Sequence, residues 1–167
     1  MSFAIRKVLP EDAREYIACH IACWQAAYKG LMPDDYLAGM SDSLDERTER
    51  FLGELENPAF TFYCATENDS IIGRLIIGPS RDEDKPGAGE IGALYLLPDY
   101  WGCGYGRRMM DFAVDALKQA GYGELIVWTL IENKRGRRFY ESYGFTHDGS
   151  TREYNLGKPL MGLRYVL

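Results

Sequence analysis

The amino-acid sequence predicts a layered α/β (α+β) domain built on a mixed sheet, and three observations carry that expectation. Apolar strand-like runs alternate with amphipathic helical runs, in the order strand, helices, hairpin, strand, helix, strand, helix, strand. A turn carrying Gly102, Gly104 and Gly106 joins one strand to the clearest helix. The chain has 167 residues, which fits one domain spanning 1–167. A domain of that size buries roughly 70% of the surface its unfolded chain exposes. It therefore needs neither disulfides nor metal to hold a core.

Residues 2–9 alternate loosely and read as a strand. Pro10-Glu11-Asp12 then opens a helix that runs to about Tyr28 and stops at Gly30. A second helical stretch covers roughly 33–55, with a break expected near Gly39-Met40-Ser41. Residues 59–66 and 71–78 are strand-like. Glu67-Asn68-Asp69-Ser70 turns between them, so the two form a hairpin. Residues 79–89 are a polar loop, and 90–97 are a strand closed by Pro98. After the glycine turn, Met109, Phe112, Ala113, Ala116, Leu117 and Ala120 recur at helical spacing, opposite Arg108, Asp111, Asp115 and Lys118. Gly121 is the natural C-cap of that helix. Residues 124–131 read as a buried strand, and 133–143 as a short basic helix stopped by Gly144. The tail, with Phe145, Tyr154 and 160–166, supplies one or two more strands.

Composition narrows the function classes. Apolar residues make up 46% and charged residues 26%, which argues against disorder, collagen and coiled coil. No apolar run approaches the ~20 residues of a membrane span. The opening Met-Ser-Phe-Ala-Ile-Arg-Lys lacks a signal peptide's apolar stretch, so the expected setting is cytoplasmic, with no membrane partner. The net charge of −6 disfavours sequence-independent nucleic-acid binding. Cys19, Cys23, Cys64 and Cys103 form no paired CxxC set, and Cys19 and Cys23 sit one helical turn apart as packing residues. His20 and His147 read as structural or exposed, and no metal site is expected.

The segment Tyr95-Leu96-Leu97-Pro98-Asp99-Tyr100-Trp101-Gly102-Cys103-Gly104-Tyr105-Gly106-Arg107-Arg108 is the most informative in the chain. Glycine reaches backbone conformations other residues avoid, and it leaves amide N–H groups uncovered. At a helix N-terminus such amides make an anion cradle, to which Arg107 and Arg108 add positive charge. A phosphate or diphosphate is the natural guest, and a tight turn without ligand is the plainer alternative. The dinucleotide fingerprint G-x-G-x-x-G is not met, because 102–107 reads G-C-G-Y-G-R. The G-K-[ST] ending of a P-loop is absent as well.

The run from Leu94 to Met110 resembles motif A of the GNAT superfamily of acyl-CoA-dependent N-acetyltransferases: strand, Pro, then [Q/R]-x-x-G-x-[G/A], then helix. Trp101-Gly102-Cys103-Gly104-Tyr105-Gly106 fills the pattern, with Trp101 in place of the usual Gln or Arg. Asn133, Phe139-Tyr140 and Tyr143-Gly144-Phe145 resemble motif B, with Gly136 where a small Ala is usual. The opening Ile5-Arg6 to Trp24 and Tyr28 and the closing Arg164-Tyr165 are similar to small bacterial members. The resemblance implies a mostly antiparallel sheet of six to seven strands with a central parallel, splayed pair, 90–97 and 124–131, flanked by about four helices.

It also implies acetyl-CoA as the cofactor, with its diphosphate on the amides from Gly102 to Arg107 and its pantetheine arm beside Tyr95 and Leu96. In this resemblance the Leu96 amide faces the thioester oxygen. Asn133 and Tyr140, seven residues apart, share one helix face. The family's Tyr at that position protonates the departing thiolate, a general-acid role for Tyr140. Phe139 joins the cofactor side, and the basic run Lys134, Arg135, Arg137, Arg138 lies near the 3′-phosphate. Glu90 stands at an offset where some members carry a base. Trp24, Tyr28 and Tyr36 form an aromatic wall for the acceptor, with Asp34 and Asp35 adding negative charge. The implied activity is direct transfer of acetyl to a primary amine of a small molecule in a ternary complex. A protein N-terminal acetyltransferase and a non-catalytic acyl-CoA-binding module are the rival readings. A C-terminal strand able to pair across a homodimer is a further expectation.

Overall fold

The computed structural model describes residues 2–56 and 59–167, so residues 1, 57 and 58 of the expected domain lie outside it. Seven strands form one sheet: β1 (Phe3–Lys7), β2 (Thr61–Glu67), β3 (Ser70–Pro79), β4 (Gly89–Leu96), β5 (Leu125–Leu130), β6 (Thr146–Asn155) and β7 (Pro159–Val166). Their order across the sheet is β1-β2-β3-β4-β5-β7-β6. Every neighbouring pair is antiparallel except β4 and β5, which run parallel at the centre. The mixed sheet and its single parallel pair agree with the expected architecture.

Five α-helices cover the two faces: α1 (Ala13–Ala27), α2 (Asp34–Asp42), α3 (Leu44–Glu54), α4 (Tyr105–Gln119) and α5 (Lys134–Tyr143). Helices α1 to α3 bury Tyr16, Ile17, Leu37, Met40 and Phe51 against Phe62 and Cys64 of β2. Helix α4 buries Met109, Met110, Ala113 and Leu117 on the other face, where Tyr140 of α5 joins Ile91, Val127 and Tyr165. Apolar burial on both faces is what holds a central strand pair in place. Among the described residues no helix is long and apolar enough to cross a membrane.

One local expectation changes, and another is narrowed. The stretch 33–55 is two helices, and the break, expected near Gly39-Met40-Ser41, falls at Ser43, which makes five α-helices among the described residues. Gly39 lies within α2, whereas the Ser43 hydroxyl donates to Met40 O at 3.1 Å and accepts from Arg47 Nε at 2.8 Å. A serine hydroxyl that bonds a nearby backbone carbonyl offers the chain an alternative to the helical ladder at this point. The tail resolves into two strands, of which β6 is ten residues long and mostly exposed.

Candidate active site

The parallel pair is short. Only Gly89, Glu90 and Ile91 of β4 pair with Leu125, Ile126 and Val127 of β5. On its other edge β4 carries a bulge: the register with β3 steps from Ile76↔Ala93 to Ile77↔Ile91, so Gly92 is an extra residue. A bulge bends its strand and ends regular pairing. Past it, β4 and β5 part, and a cleft of about 510 Å³ opens between Ile91–Leu96 on one side and Val127–Thr129 on the other.

The glycine turn closes one end of this cleft. Gly104 is the N-cap of α4 at φ +83°, and Gly102 stands at φ +77°. A Cβ at either position would meet nothing within 4 Å, and both residues line the cleft. No side chain caps α4, and the Arg108 amide, donating to Gly104 O at 3.2 Å, makes its first backbone bond. The earlier amides of the helix are therefore open to an anion. Gly106 lines the cleft beneath Phe139, whose ring stands 3.4 Å from where a Cβ would be. Trp101 is pinned by its indole N–H donating to Leu96 O at 2.9 Å, and the Arg135 guanidinium lies 3.8 Å over its ring. Arg107 lines the cleft with its guanidinium 4.5 Å over Tyr143. The side chains of Cys103 and Tyr105 do not line it: Cys103 is exposed, and Tyr105 stacks on Phe3 at 4.3 Å and donates to Glu67. Only the backbone of these two can serve the cradle.

Helix α5 supplies the opposite wall. The Asn133 side chain is its N-cap and accepts from the Gly136 amide at 3.0 Å. This bond sets the first turn so that Asn133, Arg135, Gly136, Phe139 and Tyr140 all reach the cleft. Of the basic run only Arg135 lines it. Arg137 donates instead to Tyr165 Oη at 3.1 Å, and Arg138 to Lys134 O at 3.3 Å. Tyr140 is 8% exposed. Burial, followed by the nearby Tyr95, raises its pKa well above the usual phenol value. The hydroxyl therefore stays protonated at neutral pH.

At the far end Tyr28 and Tyr95 both line the cleft, and their hydroxyl oxygens are 2.8 Å apart. Burial raises the pKa of each, so the pair is neutral at pH 7. Trp24 stands behind them, with ring centroids 5.1 Å from Tyr28 and 6.2 Å from Tyr95. Tyr36 does not reach the cleft and packs against Gly157. Glu90 is also absent from the lining. It is 2% exposed and takes both the backbone amide of Arg81, at 2.9 Å, and its guanidinium, at 2.6 Å. The structure thus brings together Tyr95, Leu96, Trp101, Gly102, Gly104, Gly106, Arg107, Asn133, Phe139, Tyr140 and Tyr28. It leaves Glu90, Trp24 and Tyr36 outside.

Sequence reasoning did not single out Gly92 and Ala93 at the bulge, nor Trp128 and Thr129 of β5, all of which line the cleft. An apolar β run reads as buried on both faces, and nothing in its letters tells where two strands part. The paired small residue is the one available signal: a Cβ on Gly136 would stand 2.7 Å from the Asn133 amide nitrogen and 3.1 Å from Thr129 Oγ1.

Comparison with known proteins agrees with this geometry. The model of the acetyltransferase (GNAT) family matches residues 24–145. An uncharacterized N-acetyltransferase of Bacillus subtilis is 28% identical over 139 residues, covering 83% of this chain and 78% of that protein. Another, from Mycobacterium bovis, is 31% identical over 148 residues, covering 87% of this chain and 90% of the relative. Among solved structures, the PaiA N-acetyltransferase of Thermoplasma acidophilum in complex with coenzyme A superposes with a TM-score of 0.76 at 23% identity, over 97% of this chain and 98% of that one.

Proposed function

The chain belongs to the GNAT family of acetyltransferases, and from that premise we propose that it moves the acetyl group of acetyl-CoA to the primary amine of a small molecule, both bound together in the β4–β5 cleft. One observation carries the reading: the open amides of the glycine turn and the protonated hydroxyl of Tyr140 face a single cleft. We read 1–167 as one catalytic domain. The four cysteines are free thiols, which suits the reducing cytoplasm included in this reading.

The residues present fit acetyl-CoA. Gly102 and Gly104 leave space where a side chain would block a diphosphate, and the amides that open α4 supply donors for it. The stacked Trp101 and Arg135 extend the cradle with a flat cationic surface, and Arg107 adds charge beside it. Bound there, acetyl-CoA supplies an activated acyl group. The open edge of β4, from Gly92 to Leu96, offers backbone groups to its arm. Tyr140 holds a proton at its hydroxyl oxygen for the departing sulfur. Tyr28 and Tyr95 offer neutral phenols and aromatic faces to an amine, which attacks once it has lost its proton to solvent. Positioning in the cleft does most of the catalysis. Glu90 serves as a positioning residue that ties the 79–88 segment to β4 through Arg81.

Two measurements test the proposal. Calorimetric titration should give saturable binding of acetyl-CoA and CoA and none of ATP. Thiol release from acetyl-CoA should then follow addition of small primary amines. Turnover of peptide N-termini alone would replace the small amine by a peptide. Saturable binding without turnover of either acceptor class would make the chain a binding module.

A further inference from the structure

A second cavity, of about 80 Å³, lies on the α1–α3 face of the sheet. It is lined by Ile17 and His20 of α1, by Arg47, Arg50, Phe51 and Glu54 of α3 or its edge, and by Arg74 of β3. It shares no lining residue with the β4–β5 cleft. Arg74 is its unusual member. This guanidinium belongs to a residue only 8% exposed, and its Nε and Nη1 have no hydrogen-bond partner among the described residues. Its guanidinium carbon stands over the ring of Tyr16, 5.0 Å from the centroid. The Tyr16 hydroxyl is itself enclosed and has no hydrogen-bond partner among the described residues.

A buried arginine stays charged, because it cannot shed its proton. Burial without a counter-charge is costly, so such groups are ordinarily paired. The chain carries 25 acidic residues, yet among the described residues none forms an ion pair with Arg74. The remaining charges at the cavity are also mainly positive. Arg47 is steadied by Ser43 Oγ at 2.8 Å, and Arg50 stands 3.8 Å from Glu46. Glu54 is the single carboxylate of the lining and is exposed. His20 is held neutral, since burial first and then Arg74 and Arg47 push its pKa down to about 2.

We propose that this cavity is an oxyanion site, in which Arg74 at the base and Arg47 and Arg50 at the mouth hold one phosphate or carboxylate group. The volume has room for several water-sized groups, which suits one such group and excludes a whole nucleotide. Guanidinium groups bind both anions through charge-assisted hydrogen bonds. The site stands one layer behind the cleft wall. Arg74 is the cross-strand partner of Tyr95, and the His20 ring lies 6.2 Å from the Tyr95 ring. The inference does not rest on the acetyltransferase reading, and its test needs no turnover.

The experiment is thermal unfolding at constant ionic strength, with chloride replaced stepwise by inorganic phosphate or, in a second arm, by succinate. The wild-type Tm is expected to rise and saturate with at least one of the two, the effective arm identifying the source of the oxyanion. Arg74→Met should unfold at the same or a higher Tm in chloride, because an unpaired buried charge is gone, and should lose the anion-dependent rise. Arg50→Ala, at the exposed mouth, should keep its Tm in chloride and need about tenfold more anion for half the rise. Should Arg74→Met fail to fold, Arg50→Ala and Arg47→Ala decide the matter. A wild-type Tm that follows ionic strength alone overturns the proposal, as does an anion-dependent rise that all folded variants keep in full.

Discussion

Tyr140 is buried, and burial raises its pKa above the usual phenol value, as it does for Tyr28 and Tyr95 at the far end of the cleft. Replacing Tyr140 by Phe removes the proposed acid but keeps the ring against Phe145 and Tyr165. The expected result is a kcat lower by about 10²-fold, with the KM for acetyl-CoA nearly unchanged. Because burial raises this pKa, ionisation of Tyr140 should take no activity from the wild type up to pH 10, which a rate profile over pH 6 to 10 checks. Glu90 allows the opposite test. A base removed by Glu90→Gln would lower kcat by about 10²–10⁴-fold. The positioning role, through an Arg81 that is 61% exposed and free to turn to water, predicts less than about a threefold change by the general-base yardstick, with a lower Tm. Asn133 and Tyr140 were legible through the resemblance of their segment to motif B, while their seven-residue spacing by itself said only that they share one helix face. The partner of Glu90 was not legible. It comes from an irregular loop, and a loop contact leaves no periodic trace.

At the scale of elements, the join of β4 to α4 is where backbone conformation and binding coincide. Gly104 needs a positive φ and faces open space, so a substitution there meets backbone strain but no clash. Gly104→Asp goes further. An aspartate at the N-cap accepts bonds from the amides that the diphosphate is proposed to use. CoA affinity measured by calorimetry should fall at least about tenfold, while the Tm changes little, because the cap offsets the strain. Helix α4 was readable from its amphipathic spacing, and the glycine turn from its letters. The boundary between α2 and α3 was not, because the Ser43 hydroxyl that ends α2 works through hydrogen bonds that a glycine count overlooks. Strand β6 was obscured for another reason. It is an edge strand with mostly exposed residues, and its register slips between His147 and Thr151, so no alternation survives. The parting of β4 and β5 depends on one extra residue, Gly92, whose effect appears only when the strand is paired.

Across the whole molecule, one buried arginine ties the last strands to the loop before β4. Arg164 of β7, 3% exposed, donates to Asp82 at 2.9 Å, to Asp84 at 2.6 Å and 2.7 Å, to Asp148 at 2.8 Å and to Ser150 Oγ at 2.7 Å. Arg152 and the Trp128 indole N–H, the latter at 2.9 Å, also donate to Asp82. Trp128 lines the cleft, so this network braces the wall of β5 from behind. Burial alone would raise the pKa of Asp82, but the bonds from Arg164, Arg152 and Trp128 outweigh it and hold the pKa below the usual carboxylate value. Asp84 is held low chiefly by its bond from Arg164. At Asp148 burial acts upward, and the Ser150 amide and Arg164 reverse it. A carboxylate whose folded pKa lies below its unfolded one stabilises the fold fully above the unfolded value of about 3.9, and that contribution fades as pH falls through the folded value. The Tm should therefore hold steady from neutral pH down to about 5 and fall steeply below about 4. Arg164→Met strands Asp82 with a buried charge and two of its three donors, which places the cost at about 3–5 kcal/mol at neutral pH. Acid should then narrow the difference: as Asp82 is protonated the variant's deficit shrinks, and the Tm curves of wild type and variant converge toward low pH. Parallel curves down to pH 3 would show that the network does not set the acid limit of this fold.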